Sequence, residues 1–144
     1  MRHRRVREIM SEAAVRHLPP TASVREAIHL MDQHNVGCVV VMERDVLVGI
    51  FTERDLVRRV IARGLEPDRT LLFEVMSREP DTIAPGESVD EVIRRMDEFG
   101  YRHMPVVERG SVVGLVSLRD CSIDDLAAMA HELEDRRAIA ERAW

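Results

Sequence analysis

Apolar positions recur at i, i+3, i+4 and i+7 in two stretches of the chain. Val24, Ala27, Ile28 and Met31 form one stripe and Val89, Val92, Ile93 and Met96 the other, so each predicts an amphipathic helix. Ser23 with Glu26, and Ser88 with Glu91, stand just ahead of these stripes as capping boxes. A β-rich run follows each helix, VGCVVVM at 36–42 and MPVV at 104–107. A polar turn (43–45, 108–110) then leads into VLVGIFT or SVVGLVS, which predicts two hairpins. Thr52 and Ser117 end these strands and are placed to cap a further helix, where Val57, Val60 and Ile61 predict a third stripe. In the second half that helix is expected to continue from Asp120 through Leu126, Met129, Ala130 and Leu133 into a charged tail ending at Trp144.

The two patterns are one pattern written twice. A shift of 65 positions lays PTASVREAI (20–28) on PGESVDEVI (85–93), Val48-Gly49 on Val113-Gly114, and Thr52-Glu53-Arg54-Asp55 on Ser117-Leu118-Arg119-Asp120. The openings VREIM (6–10) and LFEVM (72–76) agree with one residue of slack. Each unit therefore reads short strand, helix, strand, strand, helix, an α+β organisation with units at 1–64 and 71–131, a linker at 65–70 and a helical tail at 132–144. A unit of about 60 residues buries too little surface alone, so the two are expected to share a core, sheet against sheet.

Composition narrows the class. Charged residues make up 33% of the 144 positions and apolar ones 45%, a globular mixture. No apolar run approaches the roughly 18–20 residues of a membrane span, and the basic start (Arg2, Arg4, Arg5) lacks the apolar stretch of a secretory signal. That start reads as a short mobile terminus. Cys38 and Cys121 make no disulfide framework and point to reduced thiols in the cytoplasm. A net charge of −5 argues against general nucleic-acid binding. Every basic residue other than histidine is arginine, which excludes the P-loop lysine and Schiff-base chemistry by a lysine amine.

The candidate chemistry is the doubled phrase G-h-x-[ST]-x-x-D, Gly49 to Asp55 and Gly114 to Asp120. A hydroxyl (Thr52, Ser117) at a strand-to-helix junction, beside free backbone N–H groups, suits a phosphate. The carboxylate three residues on (Asp55, Asp120) suits a ribose diol. Arg54 and Arg119 add charge-assisted bonds for phosphate. His29 and His34 are five residues apart, about 140° around a helix axis, which does not make a metal pair. Cys38 and His103 hold equivalent places in the two halves, with no third group to orient a catalytic pair.

The duplicated unit resembles the cystathionine-β-synthase (CBS) domain, and residues 6–130 resemble a stand-alone CBS pair, or Bateman module. The resemblance implies two β-α-β-β-α units packed by their sheets about a pseudo-twofold axis, with two clefts that bind adenosyl ligands: AMP, ADP or ATP, S-adenosylmethionine, or NAD(H). It implies a regulatory binding module and no catalysis, with Asp55 and Asp120 on ribose and Thr52 and Ser117 on phosphate. The pairs His17-Leu18 and Thr82-Ile83 would line the base pocket. Gly37-Cys38 and Arg102-His103 would close it, with Arg102 and His103 on phosphate. Pro105 fits the family pattern where the first unit has Val40. Because only one half has Arg102-His103, a polyphosphate is expected to prefer the cleft that Arg102 reaches. The family implies a homodimer, for which Leu56, Val60 and Leu126 are candidate surface, and a regulated partner protein. An interaction protein with vestigial clefts, acting through its C-terminal helix and dimer surface, and a nucleotide-directed enzyme stand as the other readings.

Overall fold

The computed structural model describes residues 4–12 and 16–142; Arg2 and Trp144 lie outside the described residues. The first unit contains β1 (His17–Leu18), α2 (Val24–His34), β2 (Cys38–Glu43) and β3 (Val46–Thr52), preceded in the chain by the short helix α1 (Val6–Ile9). Ser23 and Glu26 cap α2 reciprocally, and Val24, Ala27 and Met31 are buried beneath it. The hairpin turn at Arg44 and Asp45 has both φ angles positive, the handedness that suits the twist of two antiparallel strands.

The helix after β3 departs from the expected stripe. One α turn, α3 (Glu53–Asp55), passes directly into a π-helical stretch, Leu56–Ile61. Hydrogen bonds from i+5 to i put more residues into each turn, so Val57, Val60 and Ile61 do not share a face. Val60 is fully buried, whereas Val57 and Ile61 are 61% and 56% exposed. Val60 is therefore core and unavailable to a partner surface.

The second half of the chain contains α4 (Leu72–Val75), β4 (Ser77–Arg78), α5 (Val89–Phe99), β5 (His103–Glu108) and β6 (Ser111–Ser117), but the strand expected at Thr82-Ile83 is reduced to a single parallel bridge from Ile83 to Val106. All four stripe residues of α5 are buried. Its capping box is half made: Ser88 accepts the Glu91 N–H, but the Glu91 carboxylate turns to Arg94 and Arg95 instead of the cap. The expected continuous final helix is broken. A 3₁₀ turn at Leu118–Asp120 ends at Cys121, which is extended, and α6 (Ile123–Arg142) begins afresh. Ser122 and Asp125 supply its cap through reciprocal bonds of 3.0 Å. Asp125 also pairs with Arg4, and Arg5 donates to the Gly86 carbonyl at 3.1 Å. Those two arginines are pinned, contrary to the mobile terminus expected of them.

The units exchange their openings. Helix α1, from the first repeat, docks on the second unit: Val6 N–H donates to Glu87 O at 2.8 Å, and Val6 sits in a core with Ile83, Val92, Met96, Met104, Val106 and Val116. Helix α4, from the second repeat, docks on the first: Leu72 N–H donates to Ala22 O at 2.9 Å, and Leu72, Val75 and Met76 complete the core under Val24, Met31, Val39 and Phe51. Strand β4 likewise extends the first sheet, giving the order β1-β2-β3-β4. Ser11 pairs with Leu115 on β6 in the mirrored position. Gly49 and Gly114 make this possible. A Cβ on Gly49 would stand 2.4 Å from the Met76 sulfur, and one on Gly114 would stand 2.9 Å from the Met10 sulfur. The glycine of the doubled phrase thus leaves room for the methionine of the exchanged opening. Cys38, Val40 and Ile50 from one sheet meet Leu115 from the other in a small cluster, so the sheets do pack face to face. Among the described residues no helix is long and apolar enough to cross a membrane.

Candidate functional site

The reciprocal exchange brings the end of β6 beside the start of β2. Between them opens a cleft of about 320 Å³, at the lower end of the range for small-molecule sites. Ser117, Arg119 and Asp120 of the second phrase line it, with Gly37 from the first repeat and His103 from β5. The carboxylate of Asp120 is held by its own turn: Oδ2 accepts the Ser117 N–H at 2.7 Å and the Ser117 Oγ–H at 3.0 Å. Its Oδ1 accepts no hydrogen bond among the described residues, and the residue lines the cleft. Gly37 matters here for size. A Cβ at that position would lie 3.1 Å from both His103 Nε2 and Glu53 Oε1.

Five lining residues escaped the sequence reading as site residues: Ser11, Arg16, His34, Val36 and Leu115. Arg16 carried a usable signal, since the 65-position shift lays it on Asp81, a reversal of charge. Ser11 and Leu115 carried none, because only the exchanged pairing places them there.

The equivalent place in the other half is built differently. Asp55 is 8% exposed, and both of its oxygens are engaged: Oδ2 accepts the Thr52 N–H at 3.0 Å, and Oδ1 faces Arg59 Nε at 3.6 Å. Thr52 Oγ1 in turn accepts the Asp55 N–H at 3.2 Å. Where the open cleft has Val36 and Arg16, this half has Tyr101 and Asp81, joined by a 2.7 Å hydrogen bond. Phe99 stacks on Tyr101 with ring centroids 6.0 Å apart.

Arg102 and His103 part company at the edge of β5, since Arg102 lies in the bend just before the strand and His103 is its first residue. His103 enters the Asp120 cleft, while Arg102 lies with Arg54 in a separate groove under α5 and α6. Arg54 there donates to the Gly100 carbonyl at 3.0 Å. The expected cationic pair is thus divided between two grooves. The remaining candidates sit elsewhere. Cys38 is buried between the sheets, and its thiol is pushed up to about 12 by burial and by Glu53. Ile83 belongs to the second core and Leu18 packs on the first. His17 is exposed on β1, the half-buried Thr82 gives its carbonyl to Arg95, and Pro105 is buried opposite Leu115.

Burial holds the His103 imidazole below its ordinary value, with Glu53 and Asp120 pulling it up and Arg119 and Arg102 pushing it further down. The folded protein therefore binds this proton less well than the unfolded chain. Stability from a neutral His103 is present above about pH 6.5 and lost as the pH falls below it. Thermal melts from pH 8 to pH 5 should show wild type losing more melting temperature on acidification than His103→Gln. Equal losses would mean that this histidine is not the group responsible.

A model of the CBS domain matches the chain twice, at residues 6–62 and 72–122. The CBS domain-containing protein YhcV of Bacillus subtilis is 35% identical over 108 residues, covering 75% of this chain and 76% of that protein. The CBS domain-containing protein CBSCBSPB3 of Arabidopsis thaliana is 33% identical over 134 residues, and the match spans 88% of this chain but only 24% of that relative's length. Among solved structures, a CBS domain protein from Pyrobaculum aerophilum complexed with AMP superposes with a TM-score of 0.78 at 27% identity, covering 88% of this chain and 98% of the other. The CBS domain pair of protein MJ0100, in complex with 5′-methylthioadenosine and S-adenosyl-L-methionine, superposes with a TM-score of 0.74 at 26% identity, covering 83% and 93%.

Proposed function

Since the chain belongs to the CBS-domain family, with two such domains, we propose that it is a regulatory module that binds an adenosyl ligand in the cleft at Asp120. One observation carries the reading: Ser117 and Asp120 of the second repeat meet Gly37 of the first in a cleft whose carboxylate keeps a free oxygen. In this reading Asp120 Oδ1 takes ribose hydroxyls, and Arg119 lies within reach of the 5′ substituent. The AMP, 5′-methylthioadenosine and S-adenosyl-L-methionine complexes of similar proteins support the adenosyl class. The Asp55 half serves as structure, because its carboxylate is already engaged internally. Binding acts by joining the two repeats across one seam, and the consequence passes to a partner through the outer surfaces. Val57 and Ile61, exposed side by side on the π-helical turn, are the face on which we place a homodimer contact in preference to Val60. Cys38 and Cys121 are free and buried in separate clusters, which supports a reducing, cytoplasmic setting.

Calorimetry of the folded protein with AMP, ADP, ATP, S-adenosylmethionine and NADH tests the ligand class. Saturable heat with at least one of them is expected, near one site per chain; none with any would end the adenosyl reading. Light scattering on the same samples should return twice the chain mass of 16.5 kDa, and a monomer at micromolar concentration would remove the dimer.

A further inference from the structure

The open cleft carries an unusual balance of charge for a site built around one carboxylate. Arg16, Arg119, His34 and His103 line it against Asp120, with Glu53 beside His103. Arg119 is held only loosely, by a 3.4 Å contact from Nη2 to the Asn35 carbonyl. Arg16 is less satisfied still. No carboxylate pairs with it among the described residues, and its Nε is the one buried side-chain polar atom there without a hydrogen-bond partner. A cleft-lining arginine with no carboxylate against it leaves its charge uncompensated, and an anion entering the cleft would offset that charge. A guanidinium also matches a phosphate better than any other side chain, offering two parallel N–H donors to two oxygens.

The second repeat shows that the fold does not require a cation here. On the same scaffold, Asp81 occupies the position of Arg16 and is satisfied by the Tyr101 hydroxyl. The arginine is a property of the open cleft and not of the repeat.

We propose that Arg16 makes the Asp120 cleft selective for adenosyl ligands with an anionic 5′ group, a mono- or diphosphate, over neutral or cationic adenosyl compounds. The proposal rests on the adenosyl reading of this cleft and adds the class of 5′ substituent. Asp120 recognises the ribose that all these ligands share. Arg16, with Arg119 and His103 nearby, recognises what differs between them.

Calorimetry on the full chain separates the two levels, using AMP, ADP, adenosine, 5′-methylthioadenosine and S-adenosylmethionine. Wild type is expected to bind AMP or ADP at least about tenfold more tightly than adenosine or 5′-methylthioadenosine, with S-adenosylmethionine weaker than AMP. Raising the salt should narrow that gap. In Arg16→Gln the gap should collapse through loss of AMP affinity, with adenosine binding unchanged within about twofold. AMP no tighter than adenosine in wild type would overturn the selectivity while leaving the adenosyl reading intact. Equal weakening of AMP and adenosine in Arg16→Gln would overturn it in the same way. No binding by any of the five would overturn the adenosyl reading and the selectivity together. The wild-type comparison of AMP with adenosine stands even if the variant fails to fold.

Discussion

Asp120→Asn weakens adenine-nucleotide binding by about 1–3 kcal/mol, roughly 5- to 150-fold, while Asp55→Asn leaves it within about twofold. The two residues are equivalent in sequence and unequal in surroundings. Asp120 spends one oxygen on its own turn, through Ser117, and its Oδ1 is left without a hydrogen bond among the described residues. An asparagine there can still accept the Ser117 N–H but presents an amide in place of the free oxygen, so ribose hydroxyls lose a charged acceptor. Asp55 has no oxygen to offer, since Thr52 and Arg59 face both. Its replacement should show as lost stability of a few tenths to about 1 kcal/mol, read from urea unfolding, because Arg59 loses a half-exposed ion pair. Titration of both variants with the tightest-binding nucleotide decides the matter. Equal losses of affinity would mean that both halves bind, and the asymmetric reading would fall.

The second large effect is on stability. Leu72→Ala should cost about 2–5 kcal/mol, and the unfolding curve should remain a single transition. By sequence Leu72 opens the second repeat. By packing it is a fully buried member of the first core, against Val24, Val39 and Phe51. The cavity it leaves therefore weakens the first unit, and the exchange of α1 and α4 transmits that loss to both. Urea unfolding followed by circular dichroism provides the measure. A loss below about 1 kcal/mol, or two separate transitions with only the second displaced, would show that the repeats are independent and the exchange dispensable.

Much of this architecture is legible in one dimension because its determinants are local. The stripes under α2 and α5, the caps at Ser23 and Ser88 and the two hairpins depend on neighbours within a few residues, and the structure contains all of them. The π-helical turn at Leu56–Ile61 was not legible, because a period of 3.6 is assumed in reading Val57, Val60 and Ile61 as one face. Nor was the break at Cys121: Ser122 and Asp125 form a second cap immediately after the first, and the apolar pattern alone runs through it. The divided fates of Arg102 and His103 were not legible either, because Arg102 lies in the bend before β5 and its groove is formed with residues of α5 and α6.

The sequence by itself determined that this chain is a duplication, that each copy is a strand-helix-hairpin unit, and that a hydroxyl and a carboxylate recur at each junction. Repetition and periodicity are properties of spacing, and spacing is written along the chain. Tertiary structure alone decided that α1 covers the second unit and α4 the first. It also decided that Arg16 and Asp120 line one open cleft while Asp81 and Tyr101 meet in the other half. Those outcomes depend on which surfaces touch across some 65 residues, where burial and charge are settled by neighbours distant in sequence, and no local pattern records that choice.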